Sequence, residues 1–409
     1  MKKSFLNEKL SLVRQRFAET IELDDEKARE IITEVIFDDR YSFKMSDEEI
    51  TAAIEKIFLK TRRRLGIISP LIEDVTVSEI MVNGPHNIFV EKQGLVEKYH
   101  LSFDSVEELE EVIRNIAGDV HREISEMSPI VDARLPDGSR VNGVYKNVAI
   151  GGPILTIRKI SEKHMRMSDL TVNGTLNLEA AVLLETLTEC GYNIFVSGGT
   201  SSGKTTLLNA LAEAIPKGER VIVIEDSMEL KLPYIENIVH MECRSSNAAG
   251  KGQVTMSGLI KSSLRMRPDR IIVGEVRGGE VVDMLQAMNT GHSGSMSTGH
   301  GNSVEGMLRR LESMYLMAVS MDINAIRAQI SEGIDIMVHV ERIEKGKRKI
   351  TEISEIEGYK DGSIYLNTLM KLNEQGELES TGNKIRDERK IYLKGEKNAA
   401  VLRQYGFIR

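Results

Sequence analysis

The stretch Gly198-Gly199-Thr200-Ser201-Ser202-Gly203-Lys204-Thr205-Thr206 constrains this chain more than any other. It fits G-x-x-x-x-G-K-[ST], a loop whose backbone N–H groups cradle nucleotide phosphates. The pattern carries meaning only between a strand and a helix. Ile194-Phe195-Val196 before it is apolar and β-prone, and Leu207-Leu208-Asn209-Ala210-Leu211 after it opens a helix. Gly198 and Gly203 let the backbone approach an anion and reach positive φ. The helix N-terminus behind them attracts negative charge. In such a loop Lys204 reaches the β- and γ-phosphates and the Thr205 hydroxyl ligates Mg²⁺. Thr200, Ser201, Ser202 and Thr206 complete the cradle. A nucleotide and Mg²⁺ are therefore expected at this loop, and the expected fold is α/β.

Two later strands supply acids. Val221-Ile222-Val223-Ile224 ends in Glu225-Asp226, and Ile271-Ile272-Val273 ends in Gly274-Glu275. Continuous apolar runs of this kind suit strands buried on both faces. Their C-terminal ends lie beside the phosphate loop in an open sheet. Of Glu225 and Glu275, one can hold Mg²⁺ through water and the other can polarise the attacking water. Residues 289–303 then place His292 and His300 in a run of Gly, Ser and Thr, which reads as a loop after a helix over 281–288. Neutral imidazoles near phosphate can sense the γ-position. A zinc site is disfavoured there, since no Cys or carboxylate cluster completes the ligand set.

At 409 residues the chain has room for two or three domains. Residues 1–66 show helical spacing and read as a helical bundle. Its third helix opens with a Ser46/Glu49 capping box and closes with Arg62, Arg63 and Arg64. Residues 70–160 read as a smaller, antiparallel α/β domain with a helix over 105–117 and turns at Gln93-Gly94 and Pro136-Asp137-Gly138. This domain carries Arg134, Arg140 and Arg158. Phosphoryl transfer needs cationic charge beyond Lys204 and Mg²⁺, and an arginine finger is worth roughly 10³–10⁵ in rate. These arginines are candidates for it, from this chain or a neighbouring subunit. The polar, aperiodic stretch 161–174 is expected to be a linker with its hinge at 163–171, and 175–370 the nucleotide domain. Residues 371–409 are expected to form a polar tail acting as a lid or ring contact.

Net charge is −8, from 54 basic and 62 acidic residues, which argues against a nucleic-acid partner needing a basic face. The two cysteines, Cys190 and Cys243, fit a reducing compartment as buried thiols. No apolar run follows Met1-Lys2-Lys3-Ser4, and none reaches the roughly 18 residues of a membrane span. The expectation is a cytoplasmic protein, or one peripheral on a membrane through a partner.

Taken together, these motifs resemble the type II/type IV secretion-system ATPases, most closely the CpaF-like motors of Flp/Tad pilus assembly. The likeness runs over about residues 76–358. It is carried by Glu79-Ile80-Met81-Val82-Asn83-Gly84-Pro85, residues 131–142, the phosphate loop, Val223-Ile224-Glu225-Asp226 and residues 291–303. Its most specific part is Met266-Arg267-Pro268-Asp269-Arg270 followed by Val273-Gly274-Glu275-Val276-Arg277. The resemblance implies a homohexameric ring that hydrolyses ATP between a PAS-like N-terminal α/β domain and a RecA-like C-terminal domain. Domain closure would then work an inner-membrane assembly platform. By the same resemblance Glu225 matches an acidic box and Glu275 the catalytic glutamate of an atypical Walker B. His292 and His300 match a histidine box, and Arg134, Arg140 and Arg158 the arginines that reach the γ-phosphate. Ser293 and Gly301 depart from the usual Asp and Ala. Two other readings exist. A nucleic-acid-translocating RecA-like motor is opposed by the acidic balance and an aromatic content of 5%. A nucleotide-gated scaffold that never cleaves ATP is opposed by the intact Glu225 and Glu275.

Overall fold

The computed structural model describes the chain except at residues 1, 2, 21, 40, 41, 93, 121, 161–164, 245, 247–250, 344 and 345 and the side chains of 3, 4 and 43. The chain forms two compact units, Met1–Glu162 and Lys163–Arg409.

In the first unit, α1 (Lys3–Ala18), α2 (Asp25–Phe37) and α3 (Asp47–Arg62) bury one apolar face each around Val13, Ile32, Ile36 and Ile57. Ser46 caps α3 and Glu49 returns the bond, so the capping box is formed. Arg62 and Arg63 pair with Asp25 at the start of α2, and Arg64 with Asp119, so this cationic run ties elements together. After α4 (Ser69–Glu73) come β1 (Val77–Asn83), β2 (Ile88–Lys92), β3 (Leu95–Lys98), α5 (Val106–Asp119), β4 (Ile130–Arg134), β5 (Arg140–Val144) and β6 (Ile154–Arg158). The strands form an antiparallel sheet in the order β3-β2-β1-β6-β5-β4. Ser105 caps α5, whose Leu109, Val112, Ile113 and Ile116 share a core with Ile80, Val82, Leu155 and Ile157 of the sheet. Asp137 fixes the β4–β5 turn by accepting the Ser139 N–H at 2.9 Å. Gln93 of the β2–β3 turn lies outside the described residues.

The second unit opens with α6 (Met167–Val172), α7 (Leu178–Glu189), β7 (Ile194–Gly198), α8 (Lys204–Ala212), β8 (Val221–Glu225), β9 (Ile238–Glu242) and α9 (Met256–Ser263). It continues with β10 (Arg270–Val273), α10 (Val281–Asn289), β11 (Met296–His300), α11 (Val304–Ala318), α12 (Ile323–Gly333) and β12 (Ile336–Arg342). It ends with β13 (Arg348–Lys360), β14 (Ser363–Leu372), β15 (Leu378–Ser380), α13 (Arg389–Lys394) and α14 (Glu396–Gln404). The strand order is β15-β14-β13-β12-β7-β11-β10-β8-β9, parallel from β12 to β9. Helices cover both faces. Val221 and Val223 enter one core, Ile222 and Ile224 the other, which is why β8 reads as an unbroken apolar run. Cys190 is buried as expected, whereas Cys243 is only half-buried; burial raises both thiols, and with Asp226 nearby it pushes Cys243 up to about 12.

Three expectations need correction. Residues 289–303 are not one loop, because Met296–His300 forms the buried central strand β11. Its small residues are a packing requirement: a Cβ on Gly299 would lie 2.8 Å from Met307 Cε and 2.9 Å from Phe195 Cζ. The expected linker is helical from Met167, and Met167 and Leu170 are buried; residues 161–164 of it lie outside the described residues. Residues 371–409, expected as a polar tail, pack into the second unit. β15 extends the sheet, and Ile385, Ile391, Leu402 and Phe407 join its core. The buried Glu355 carboxylate accepts the N–H groups of Arg386 and Asp387, which fastens this polar-looking segment.

Candidate active site

The glycine-rich loop leaves the C-terminal end of β7, which is buried throughout between β12 and β11. Gly198 admits no side chain, since a Cβ there would lie 2.2 Å from the Val340 carbonyl oxygen. Ser201 has φ 57°, and Gly203 at φ 100° forms the N-cap of α8. Such a left-handed step turns consecutive N–H groups inward, as an anion-binding nest requires. The first N–H groups of α8 have no intrahelical acceptor. The Ser202 hydroxyl is buried with no partner among the described residues. Lys204 is buried, and its ammonium donates to the Gly198 and Gly199 carbonyls at 3.1 and 2.8 Å. Thr205 and Thr206 sit partly buried in the first turn. An orphaned hydroxyl, a buried cation and a nest at a helix N-terminus fit a nucleotide's phosphates.

The acids arrive beside this loop through strand register. Val273 of β10 stands opposite Ile224 of β8, so Gly274 follows level with Glu225. A Cβ on Gly274 would lie 2.9 Å from Glu225 Cγ, so glycine makes room for that side chain. Glu225 is buried, and its Oε1 accepts the N–H groups of Glu229 and Leu230 at 3.0 and 3.1 Å. One oxygen of Glu225 thus holds the following loop. The chain after Gly274 is fixed to β11, where Val276 N–H donates to Thr298 O and Thr298 Oγ1 to Gly274 O.

That anchoring brings Glu275 to His300, with Nε2 2.8 Å from Glu275 Oε1. Arg277 donates to the other Glu275 oxygen at 2.8 Å and lies 3.4 Å from Asp226. On the far side of the imidazole, Nδ1 makes a long contact of 3.4 Å with the Lys204 ammonium. An ammonium can only donate, so the network assigns Nδ1 as acceptor and the proton to Nε2. Burial lowers the pKa of His300; Lys204 and Arg277 lower it too, while Glu275 pulls it up. The ring is therefore neutral and sits between a carboxylate and the loop lysine. Asp226–Arg277–Glu275–His300–Lys204 forms one polar chain, and Arg277 is the member that residue-by-residue reading passed over. Its place in the Gly274-Glu275-Val276-Arg277 run was the available signal.

His292 does not join this group. It precedes β11, whereas His300 ends it, and its Nδ1 is 3.1 Å from the Ala287 carbonyl at the end of α10. About 13 Å of strand separates the two ends. Parallel strands put every C-terminal end on one edge, so a residue before β11 falls on the opposite edge from the loop.

In the other unit, Arg134, Arg140 and Arg158 stand in one row across β4, β5 and β6, with Glu79 next to Arg158 on β1. Residues in direct register share a face, with Cβ atoms roughly 5 Å apart. This face is opposite the one where Val141 and Ile157 enter the core. Three guanidinium groups aligned this way gather positive charge on this face, with Glu79 as an anionic neighbour of Arg158. Among the described residues no group of three or more His, Cys, Asp or Glu side chains forms a metal site. Mg²⁺ needs none beside a nucleotide, because it keeps waters and takes phosphate oxygens.

Comparison with known proteins adds to this geometry. The family model described as type II/IV secretion system protein matches residues 61–343. An uncharacterized protein of Methanocaldococcus jannaschii is 41% identical over 255 residues, covering 60% of this chain and 35% of that protein. The chain therefore spans well under two thirds of that relative. The conjugal transfer protein TrbB of Rhizobium radiobacter is 34% identical, with 71% of this chain and 87% of TrbB covered. The crystal structure of the pilus retraction motor PilT with bound ADP is similar in fold, at TM-score 0.53 and 19% identity, covering 84% of this chain and 89% of that one.

Proposed function

Because this chain belongs to the type II/IV secretion system protein family and is an ATPase, we propose that it is a ring motor for macromolecular assembly or export. The finer reading is a homohexamer, cytoplasmic and peripheral at the inner face of the membrane. It hydrolyses ATP to drive Flp/Tad-type pilus assembly or type II/IV-type secretion through an inner-membrane platform protein. In this reading the second unit is RecA-like and the first contributes a PAS-like domain. No helix of the described residues is long and apolar enough to cross a membrane, which is consistent with acting through a partner.

One observation carries the chemistry: Glu275 is held between Arg277 and His300, and His300 reaches Lys204. Glu275 acts as general base toward the attacking water, and Arg277 holds its other oxygen in place. His300 stands with Nε2 2.8 Å from Glu275 and Nδ1 3.4 Å from the Lys204 ammonium, so movement of Lys204 toward a γ-phosphate is felt at the carboxylate through the ring's electrostatics. Gly198, Thr200, Ser201, Ser202, Gly203, Lys204, Thr205 and Thr206 form the phosphate cradle. Mg²⁺ held by Thr205, with Glu225 or Glu275 acting through water, would neutralise developing charge on the phosphates. Arg134, Arg140 and Arg158 supply further cationic charge, so hydrolysis requires the first unit, from this or a neighbouring subunit. The test is phosphate release by the purified chain with ATP and Mg²⁺, with Lys204→Ala as control. No phosphate from the wild type would remove the reading.

A further inference from the structure

We propose that Arg348 is a positioning residue for the phosphate loop, setting its affinity for nucleotide from the β12–β13 hairpin. The inference rests on the nucleotide-binding reading above. Two neighbouring strand residues brace the root of the loop. His339 Nδ1 lies 2.7 Å from Ser197 Oγ, and the Val340 carbonyl packs where a Gly198 side chain would be. Both are buried, and neither reaches the tip at Gly199, Thr200 and Ser201, which is exposed. Arg348, the first residue of β13, does. Its Nε donates to the Ser201 carbonyl at 3.0 Å, and its Cδ lies 3.0 Å from where a Gly203 Cβ would be. The side chain thus lies along the outside of the loop at its two left-handed residues, Ser201 and Gly203.

The consequence follows from peptide geometry. In a planar trans peptide the carbonyl and the next N–H point in opposite directions. Holding the Ser201 carbonyl outward on Arg348 turns the Ser202 N–H inward, where it makes only a long 3.4 Å contact with the Gly199 carbonyl. Ser201 is not glycine, and its φ of 57° is disfavoured without an outside restraint. Arg348 supplies one. Arg342 faces Arg348 across the β12–β13 register, which adds positive charge beside a site built for phosphates.

The experiment measures ADP affinity and steady-state ATP hydrolysis for wild type, Lys204→Ala, Arg348→Ala, Arg348→Gln and Arg348→Lys, with thermal unfolding of each chain without nucleotide. Hydrogen exchange of the 198–206 peptide is followed in parallel. Arg348→Ala and Arg348→Gln are expected to weaken ADP binding and raise KM about five- to tenfold, the weight of one partly exposed charged hydrogen bond. They should speed exchange in the loop and leave kcat within about twofold and the unfolding midpoint unchanged. Arg348→Lys is expected to recover only part of the affinity, because lysine lacks the planar Nε donor. Unaltered ADP affinity and loop exchange in Arg348→Ala, with Lys204→Ala defective, would overturn the inference alone. A wild type that binds no ADP would overturn the nucleotide reading and this inference with it.

Discussion

His300 Nε2 lies 2.8 Å from Glu275 Oε1, across two strand ends that are far apart in the chain. Register creates the pairing. β11 lies between β7 and β10, so its last residue comes level with Gly198 on one side and close to the chain leaving β10 on the other. The Glu275 carboxylate and the Lys204 ammonium are thereby brought to either side of one imidazole. If this arrangement serves hydrolysis, removing the base should separate nucleotide binding from turnover.

Glu275→Gln tests that separation. The amide keeps the shape and a hydrogen-bond acceptor but cannot take a proton. We predict a fall in kcat of about 10²–10³-fold, typical of losing a general base, with ATP affinity changed less than about threefold. Phosphate-release kinetics and equilibrium nucleotide binding measure the two. A variant that still turns over at the wild-type rate would exclude Glu275 as the base and favour a scaffold in which ATP is only held.

The pH dependence has a definite sign. His300 is depressed below its ordinary value, first by burial and then by Lys204 and Arg277. Its neutral form therefore persists through neutral pH, and activity should be flat above about pH 6.5, the ordinary histidine value. It should fall at more acid pH as Nδ1 takes a proton and loses its role as acceptor for Lys204. Stability should move the same way. His240, His300 and His339 are all depressed, chiefly by burial, so the unfolded chain binds protons first as pH falls. Their stabilising contribution is complete above about pH 6.5 and is lost as pH drops through the folded values. Melting curves at pH 7.5 and 5.5 would show it; equal midpoints would count against this assignment.

The arginine row of the first unit leads to a different expectation. Arg140 stands directly opposite both Arg134 and Arg158, which gathers positive charge on this face of the sheet. We predict that Arg140→Ala cuts turnover about 10²-fold or more, toward the range of an arginine finger, and changes ADP affinity far less. Arg134→Ala and Arg158→Ala should act in the same direction. Mixing Arg140→Ala with Lys204→Ala chains reports whether the finger crosses subunits, through recovery of activity in the mixture. Wild-type turnover in all three single variants would leave the row with no part in catalysis.

The phosphate loop was legible because its chemistry is local. Strand, turn and helix follow one another, and each residue's role is set by near neighbours. Glu225 and Glu275 were legible for the same reason, as acids closing apolar runs. Arg277 and Arg348 were not, because each gains its role from a partner brought in by folding: Glu275 over a tight turn for one, Ser201 across the sheet for the other. The histidines misled through composition. Gly, Ser and Thr around His300 suggested a loop, yet a strand squeezed against Met307 and Phe195 admits only small residues. Once Met296–His300 is a strand, His292 must fall at its other end.

Residues 371–409 misled through polarity, and their buried members give the last prediction. Phe407 has no exposed surface and shares a core with Leu402, Ile391 and Tyr192. Its N–H donates to the Leu402 carbonyl, its carbonyl accepts from Ile385, and the Tyr192 hydroxyl reaches the Asp387 carbonyl. A detachable lid would not be fixed at so many points. Phe407→Ala should destabilise the second unit by about 3–5 kcal/mol, the usual cost of emptying a buried aromatic site. Leu393→Ala, at a residue 73% exposed on α13, should cost under about 0.5 kcal/mol. Denaturant unfolding followed by far-UV circular dichroism separates the two. If Phe407→Ala unfolds at the wild-type midpoint, the segment is peripheral after all, and the packing of α14 against α7 contributes nothing to the nucleotide-bearing unit.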